Sequence, residues 1–537
     1  MVTDPVSGLR QSLGSGVAGL SSAVQSEPTL TRPKRADLGD YSTNAAMLLA
    51  PVLGESPVDI AERLGDEMRK VLADDVDSVE VAGPGFLNLF MSDAWHRSAV
   101  ASILGEERFG AGSSASPSVL LEFVSANPTG PLTAAGGRGA AYGDSLARIL
   151  EWAGHDVERE YYLNDAGTQI RNFAASISAR MLHREPPEDG YSGSYVTQLA
   201  QELRSEGADP EDLEDLARRG VKAMRAQIQE TLERFEVHFD TWSSEKELHD
   251  RGALDETLSE LESNGHSYES EGAIWLRTSA YGDDKDRVLI RSDGEPTYFA
   301  ADISYHRDKL KRGAEQMIVP LGADHHGYVP RMKAAVGMLS GDPDRYEAPI
   351  MQLVNIVEGG ERARMSKRKG DFVSLEELIG DIGTNAARFF LLQRSHDTVI
   401  DLDLELARSQ SQQNPVYYVQ YAHARIASII RKVAARPAEA SIVPCEPSER
   451  VLIRRLLEFP DEIQTAAIRR SPHRICAYAS AVAADFHSFY RDCRVVGADE
   501  EKGVPGLEAA RLGVCVAARA VIARSLDLLG ISAPQEM

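Results

Sequence analysis

The chain is short of cysteine, of long apolar runs and of positive charge, and each shortage excludes something. Only four cysteines occur in 537 residues, Cys445, Cys476, Cys493 and Cys515, all in the last fifth of the chain. No two stand at CxxC spacing, which removes the common zinc and redox motifs. Two disulfides are arithmetically open, but free thiols of a cytoplasmic protein are the simpler reading. No stretch approaches the roughly 18–20 apolar residues that cross a bilayer. The N-terminus, MVTDPVSGLRQSLGSGVAGL, lacks the basic start and apolar core of a secretory signal. The formal net charge is -24. That argues against a surface coated everywhere in nucleic acid, but not against a local basic face. From Tyr421 to Arg494 there are 12 basic against 8 acidic residues, a net of +4. This window is the candidate for touching a polyanion, although a solvated helical surface explains it as well.

What is present is a soluble globular composition, hydrophobic 43% and charged 26%, over a length that needs several domains. No internal repeat is visible. Residues 1–115 hold short mixed elements. DLGDYSTNAAMLLA reads as a turn, a Ser42/Thr43/Asn44 cap region and an apolar helix. VDSVEVAGPGFLNLFMS reads as a hairpin around Gly83-Pro84-Gly85. The second block, 116–409, opens with the apolar strand VLLEFVSANPTG. A helix from Gly139 to about Ala153 and a second strand, HDVEREYYLND, then complete a βαβ unit. Charged helical segments over about 195–265 look like an insertion, after which GAIWLRT, DRVLIR and QMIVPLGAD resume the α/β pattern. From 410 the chain reads as four amphipathic helices, a bundle.

Three stretches carry candidate chemistry. In NPTGPLTAAGGRGAAYGD, Asn127–Asp144, the glycines Gly130, Gly136, Gly137 and Gly139 permit close backbone approach and positive φ. The helix start that follows favours an anion, at the strand edge where mononucleotides bind. A purely structural glycine turn is the competing reading. RARMSKRKGDFVSLEELIG clusters Arg364, Lys367, Arg368 and Lys369 around Met365-Ser366, which suits a loop closing on phosphates or merely an exposed basic loop. In EPTYFAADISYHRDKL, Tyr298 and Asp302 share a helical face. With Glu122 they suggest a carboxylate pocket for a guanidinium or ammonium group, against the alternative of a surface pair. Asp324-His325-His326 invites a metal reading. Adjacent histidines rarely chelate one ion and no further ligand is well spaced, so a polar pocket lining is favoured.

Together with YYLNDAG, GADHHGYVPR, NPVYYVQYAHARI and LDLLGISAP, these segments, in this order, resemble the bacterial arginyl-tRNA synthetases over essentially the whole chain. The resemblance implies an α/β fold: a class I, Rossmann-type catalytic domain (116–409), an N-terminal α+β tRNA-contacting domain (1–115) and a C-terminal all-α anticodon-binding bundle (410–537). It implies ATP-dependent attachment of L-arginine to its tRNA through arginyl-adenylate, with Mg²⁺ arriving on ATP, no structural metal, and a cytoplasmic monomer. Carried over residue by residue, Glu122, Asn127, Tyr298 and Asp302 are arginine contacts, and Asp324 lies near a further one. Pro128, Gly130, Gly136, Gly137, Met365, Ser366 and Lys367 fall at the ATP site. Arg364–Lys367 matches the family's KMSK loop, with Lys367 the phosphate cation and Arg364 at the first basic position. Tyr417, Tyr421 and Arg425, with Tyr418 nearby, are candidates for tRNA contact by stacking and charge.

One departure stands out. The family carries HVGH where this chain has Thr133, Ala134, Ala135 and Gly136, so both phosphate-binding histidines are missing. One well-placed donor is worth about 2.7–4 kcal/mol in the transition state. Thr133, the Gly136 and Gly137 N–H groups and the RMSK loop are the available substitutes. The alternative is a weak or inactive relative that binds arginine or tRNA for regulation or delivery. A generic Rossmann nucleotide binder leaves the helical C-terminal block unexplained.

Overall fold

The parallel sheet at the centre owes its position to sequence. Val119–Glu122 is buried along its whole length, as a strand covered on both faces has to be. The computed structural model describes residues 4–22, 26–33, 35–113, 116–362, 373–433 and 443–537. Five parallel strands run in the spatial order Tyr346–Glu347, Gln316–Ile318, Val119–Glu122, Val157–Leu163, Thr241–Ser244. The first strand in the chain is central. The second and third extend to one side and the fourth and fifth to the other, so the order reverses beside Glu122. Ligands of such sheets bind at that reversal.

The helix after the central strand runs Ala134–Trp152, five residues earlier than the sequence suggested. Glycine disfavours helix by about 1 kcal/mol per residue, which is why the stretch reads as a loop. Packing overrides the propensity. A methyl group at Gly137 would lie 2.6 Å from Leu375 Cδ1, and one at Gly143 would lie 2.1 Å from the Phe123 ring.

Two further expectations are corrected. The 195–265 stretch is not all helix: between Leu213–Arg234 and Ala253–Ser263 it contributes Thr241–Ser244 to the sheet edge. Ala273–Leu276 and Arg287–Ile290 do not resume the parallel sheet. With Ser267–Ser270 they form a separate antiparallel one. Short apolar runs carry no mark of which sheet receives them.

At the N-terminus a four-stranded antiparallel sheet contains the expected hairpin, Val76–Ala82 with Phe86–Met91. Ser42 and Thr43 end a strand, Tyr41–Thr43, and Asn44 is the N-cap of the following helix, where Thr43 Oγ1 accepts the Ala45 N–H at 3.2 Å. Asn44 makes no side-chain cap bond and accepts instead from the Thr29 N–H at 3.0 Å. In the C-terminal block the segment expected as one helix, SERVLIRRLLEFPDEIQTAAIRR, divides into Pro447–Leu457 and Phe459–Ile468. Pro460 sits in the first turn of the second piece, where its missing N–H costs nothing. With Pro415–Lys432, His473–Asp492 and Leu507–Leu528 this makes five long helices among the described residues.

Buried ion pairs fasten the blocks together. Arg454 pairs with Asp40 at 2.5 Å, and Glu449 receives both Arg97 and Arg511. Arg388 pairs with Asp144 at 2.5 Å and donates to the carbonyls of Leu529 and Phe235. All four cysteines are free thiols. Among the described residues no helix is long and apolar enough to cross a membrane.

Candidate active site

Where the central strand ends, the chain turns through two strained residues. Val124 has φ +68° and Ser125 φ +37°, a region that costs a non-glycine residue about 1–3 kcal/mol. Ser125 holds the turn: its hydroxyl donates to Glu122 Oε1 at 2.8 Å and accepts the Tyr162 N–H at 3.1 Å. None of Gly130, Gly136, Gly137 and Gly139 has positive φ. The expected left-handed glycines are therefore replaced by a strained Val-Ser corner. Gly130 serves packing, because a methyl there would lie 2.9 Å from the Tyr195 hydroxyl.

Glu122 is buried and ion-paired to Lys309, which is itself fully buried. Lys309 lies 4.2 Å above the Tyr305 ring, and the Tyr305 hydroxyl donates to Glu160 at 2.7 Å. Glu160 also accepts from Ser243 at 2.5 Å and Arg312 at 2.6 Å. Burial works to raise the Glu160 pKa, but Lys309, Arg312 and Ser243 together hold it below the ordinary value. Asp302 accepts from the Tyr328 hydroxyl. Burial pushes the Asp302 carboxyl up to about 7, and the neighbouring Glu122 and Glu245 push the same way. Burial also raises Glu245, against the pull of His249. The cluster thus holds more negative charge than Lys309 and Arg312 balance, and it favours a further cation.

The structure brings Glu122 and Asp302 into one cluster. Tyr298 is one helical turn from Asp302 but 77% exposed, at the N-terminal end of Tyr298–Lys311. Asp324 does not join the cluster: its side chain is 82% exposed and stands 3.5 Å from His325. The same short turn, Ala323–Tyr328, contributes Tyr328 instead. Asn127 sits in an amide chain, donating to Gln169 at 2.6 Å and accepting from Asn164 at 3.1 Å.

At the helix start Thr133 caps Ala134–Trp152, its Oγ1 accepting the Gly136 N–H at 3.0 Å. The Gly137 N–H goes to the Thr133 carbonyl at 3.0 Å and the Ala134 N–H to Val373 at 2.9 Å. The idea that the Gly136 and Gly137 N–H groups stand free for phosphate is therefore corrected. What Thr133 still offers is its own O–H. Arg364, Met365, Ser366, Lys367, Arg368 and Lys369 lie outside the described residues. The residues that follow them are placed: Ser374 bridges Thr133, and the Leu375 N–H donates to Leu132 at 2.8 Å.

Residues 8–91 match the arginyl tRNA synthetase N-terminal domain, 191–429 the class I (R) tRNA synthetase catalytic domain, and 419–537 the DALR anticodon binding domain. The arginine–tRNA ligase of Frankia alni is 45% identical over 534 residues, 96% of each chain. That of Desulforudis audaxviator is 44% identical, covering 97% of this chain and 95% of the other. The chain belongs to the arginyl-tRNA synthetase family. The solved Thermus thermophilus arginyl-tRNA synthetase, 24% identical, shares the fold with a TM-score of 0.79 over 99% of both chains. Within this synthetase the catalytic-domain match begins at 191, beyond the Thr133 corner.

Where the catalytic-domain match runs into the DALR match, Tyr417 and Tyr421 stack at 6.2 Å with 12° between their planes. His487 joins them, 5.9 Å from Tyr421 and 4.8 Å from Tyr418. Arg425 lies 4.8 Å over the Tyr490 ring and donates to its hydroxyl at 2.9 Å. A groove of about 500 Å³ beside them is lined by Lys432, Arg491 and Arg494 among others. His487 and Tyr490 were not singled out in the sequence, nor were Lys309, Tyr305, Tyr328 and Ser125. For two of these a signal existed: Asp302, Tyr305 and Lys309 follow i, i+3, i+7 spacing and share one helix face.

Proposed function

We propose that the chain joins L-arginine to its cognate tRNA through arginyl-adenylate, consuming ATP and releasing AMP and diphosphate. The observation that carries this, beside family membership, is the buried carboxylate cluster. Lys309 already answers Glu122, so the unanswered charge falls on Asp302. A guanidinium fits that shortage, since its planar fork pairs directionally with carboxylates. Asp302 and Glu122 receive the guanidinium, with Tyr298 at the mouth and Asp324 outside it. Asn127 takes the α-amino and carboxyl end.

The ATP phosphates lie over Pro128, Gly130 and the Thr133–Gly137 helix start, with the Thr133 hydroxyl and Arg364, Met365, Ser366 and Lys367 in place of the absent histidines. Mg²⁺ arrives with ATP. Tyr417, Tyr421 and Arg425 contact the tRNA. The domains divide at about 115 and 410, and the protein works as a cytoplasmic monomer. The carbonyl–N–H bonds between Val373–Leu375 and Leu132–Ala134 support the arrangement, because they hold the first described residues after the RMSK motif against the helix start. The test is aminoacylation with purified protein, ATP, arginine and tRNA(Arg). Arginyl-tRNA at background level would leave only a binding role.

A further inference from the structure

Two buried carboxylates stand side by side in the central sheet. Glu122 and Glu160 are register partners on adjacent parallel strands, so they share a face of the sheet, about 4.8 Å apart at the backbone. Glu122 is 6% exposed and Glu160 is fully buried, closed to any solute and out of reach of a substrate. Like charges set opposite one another repel, and a buried carboxylate is costly to desolvate. Apolar groups in place of a buried ion pair are often neutral or stabilising. Stability alone therefore gives no reason for Glu160.

Its contacts give one. Glu160 Oε1 accepts the Tyr305 hydroxyl at 2.7 Å and the Ser243 hydroxyl at 2.5 Å, and Oε2 accepts Arg312 at 2.6 Å. Tyr305 stacks on Tyr162 with centroids 4.0 Å apart, and the Lys309 ammonium lies 4.2 Å from the Tyr305 ring. Glu160 thus fixes the ring, and the ring fixes Lys309 on Oε2 of Glu122. The charges also balance. Glu122 and Glu160 are answered by Lys309 and Arg312, two against two. The other partners of Arg312, Glu158 and Asp308, are partly exposed and screened by solvent. Without Glu160 the buried group would carry one net positive charge beside the carboxylate of Glu122.

We propose that Glu160 is a positioning residue that sets the pocket's preference for a cationic side chain. It acts through Tyr305 and Lys309. By offsetting the Lys309 charge it keeps Glu122 attractive to a guanidinium, and by anchoring the ring it holds the ammonium to one oxygen of Glu122. The proposal rests on the synthetase reading, which puts the guanidinium on Glu122 and Asp302.

The test is calorimetric titration of L-arginine into the full-length protein at about pH 8.5, above the Asp302 transition. Glu160→Gln keeps an acceptor for the hydroxyls and removes the charge. It weakens arginine binding about tenfold, the scale of one unit charge acting through a partly polar interior. Arg312→Gln breaks the same ion pair from the other side and does not weaken binding. The Glu160→Gln/Arg312→Gln double variant restores the balance and binds within about threefold of wild type. In the active enzyme the Glu160→Gln effect falls on the KM for arginine and leaves kcat within about twofold. A purely structural contact behaves otherwise: all three variants break it, so all three weaken binding. That outcome overturns the proposal, as does a Glu160→Gln protein that binds like wild type. If Glu160→Gln does not fold, the other two variants decide. Arg312→Gln binding tenfold more weakly, or a folded double variant doing so, overturns it. Because binding is read without ATP or tRNA, a wild type that binds arginine but makes no arginyl-tRNA sinks the functional reading and leaves this one decided. A wild type that binds no arginine overturns this one directly.

Discussion

Glu122 and Lys309 form an ion pair closed to water, one at the end of the central strand, the other on the last turn of the Tyr298–Lys311 helix. Removing one partner strands the other charge in a medium that cannot solvate it. Lys309→Met is expected to lower unfolding free energy by about 3–5 kcal/mol, read from urea melts. The Glu122→Gln/Lys309→Met double variant should recover much of that loss. If Lys309→Met melts like wild type, the pair contributes nothing to the fold.

Arginine binding should strengthen with pH. Burial holds the Asp302 carboxyl up at about 7, so below that pH it is neutral and offers a guanidinium no charge. The KM for arginine therefore rises as pH falls from about 8 to about 6, by up to roughly tenfold per unit on the acid side. Asp302→Asn should give a high KM that is flat over this range. The stability sign follows from the same shift. The folded pKa exceeds the unfolded one, so the native state binds more protons between the two values. The protein accordingly loses stability as pH rises through that window. Bound arginine should remove the loss, visible as a larger arginine-induced rise in Tm at the higher pH.

Two glycines of the same helix should behave oppositely. Gly143→Ala drives a methyl into the Phe123 ring and should destabilise by about 1–3 kcal/mol or more. A methyl at Gly136 meets only Thr133 Oγ1, at 3.5 Å. Gly136→Ala should therefore be neutral or stabilising by up to about 1 kcal/mol. Thermal melts of the two variants decide it.

The same space admits the missing imidazoles. Thr133→His/Gly136→His should raise the rate of adenylate formation by about 10²-fold or more if the natural corner lacks phosphate donors. The lost Thr133 cap costs about 1 kcal/mol of stability. An unchanged rate would mean that Thr133 and the RMSK segment already supply what the histidines would.

Stacking and charge in the DALR region are separable by salt. Tyr421→Ala should weaken tRNA binding by about 1–3 kcal/mol at every ionic strength. Arg425→Gln should instead make the slope of log affinity against log salt shallower by about one unit. Parallel salt titrations distinguish them.

The βαβ unit, the hairpin and the helical C-terminal block were legible because each rests on local periodicity. The separate antiparallel sheet was not, because Ala273–Leu276 and Arg287–Ile290 find their partners through tertiary packing. The glycine stretch misled for the same reason. Gly137 and Gly143 are small because Leu375 and Phe123 press on them, and neither neighbour is close in sequence. Asp302 could be named as a carboxylate in a pocket. Its raised pKa could not, since that depends on burial by the assembled fold and on Glu122 and Glu245 arriving from two other segments.

Arg388 has a consequence for how the synthetase can be taken apart. It lies between Asp144, midway along the helix that begins at Thr133, and the carbonyl of Leu529 at the end of the last long helix. Cutting away the C-terminal bundle would therefore leave this guanidinium without one of its buried acceptors, on the helix that begins at the Thr133 corner. The C-terminal bundle is part of the catalytic frame and not a detachable appendage.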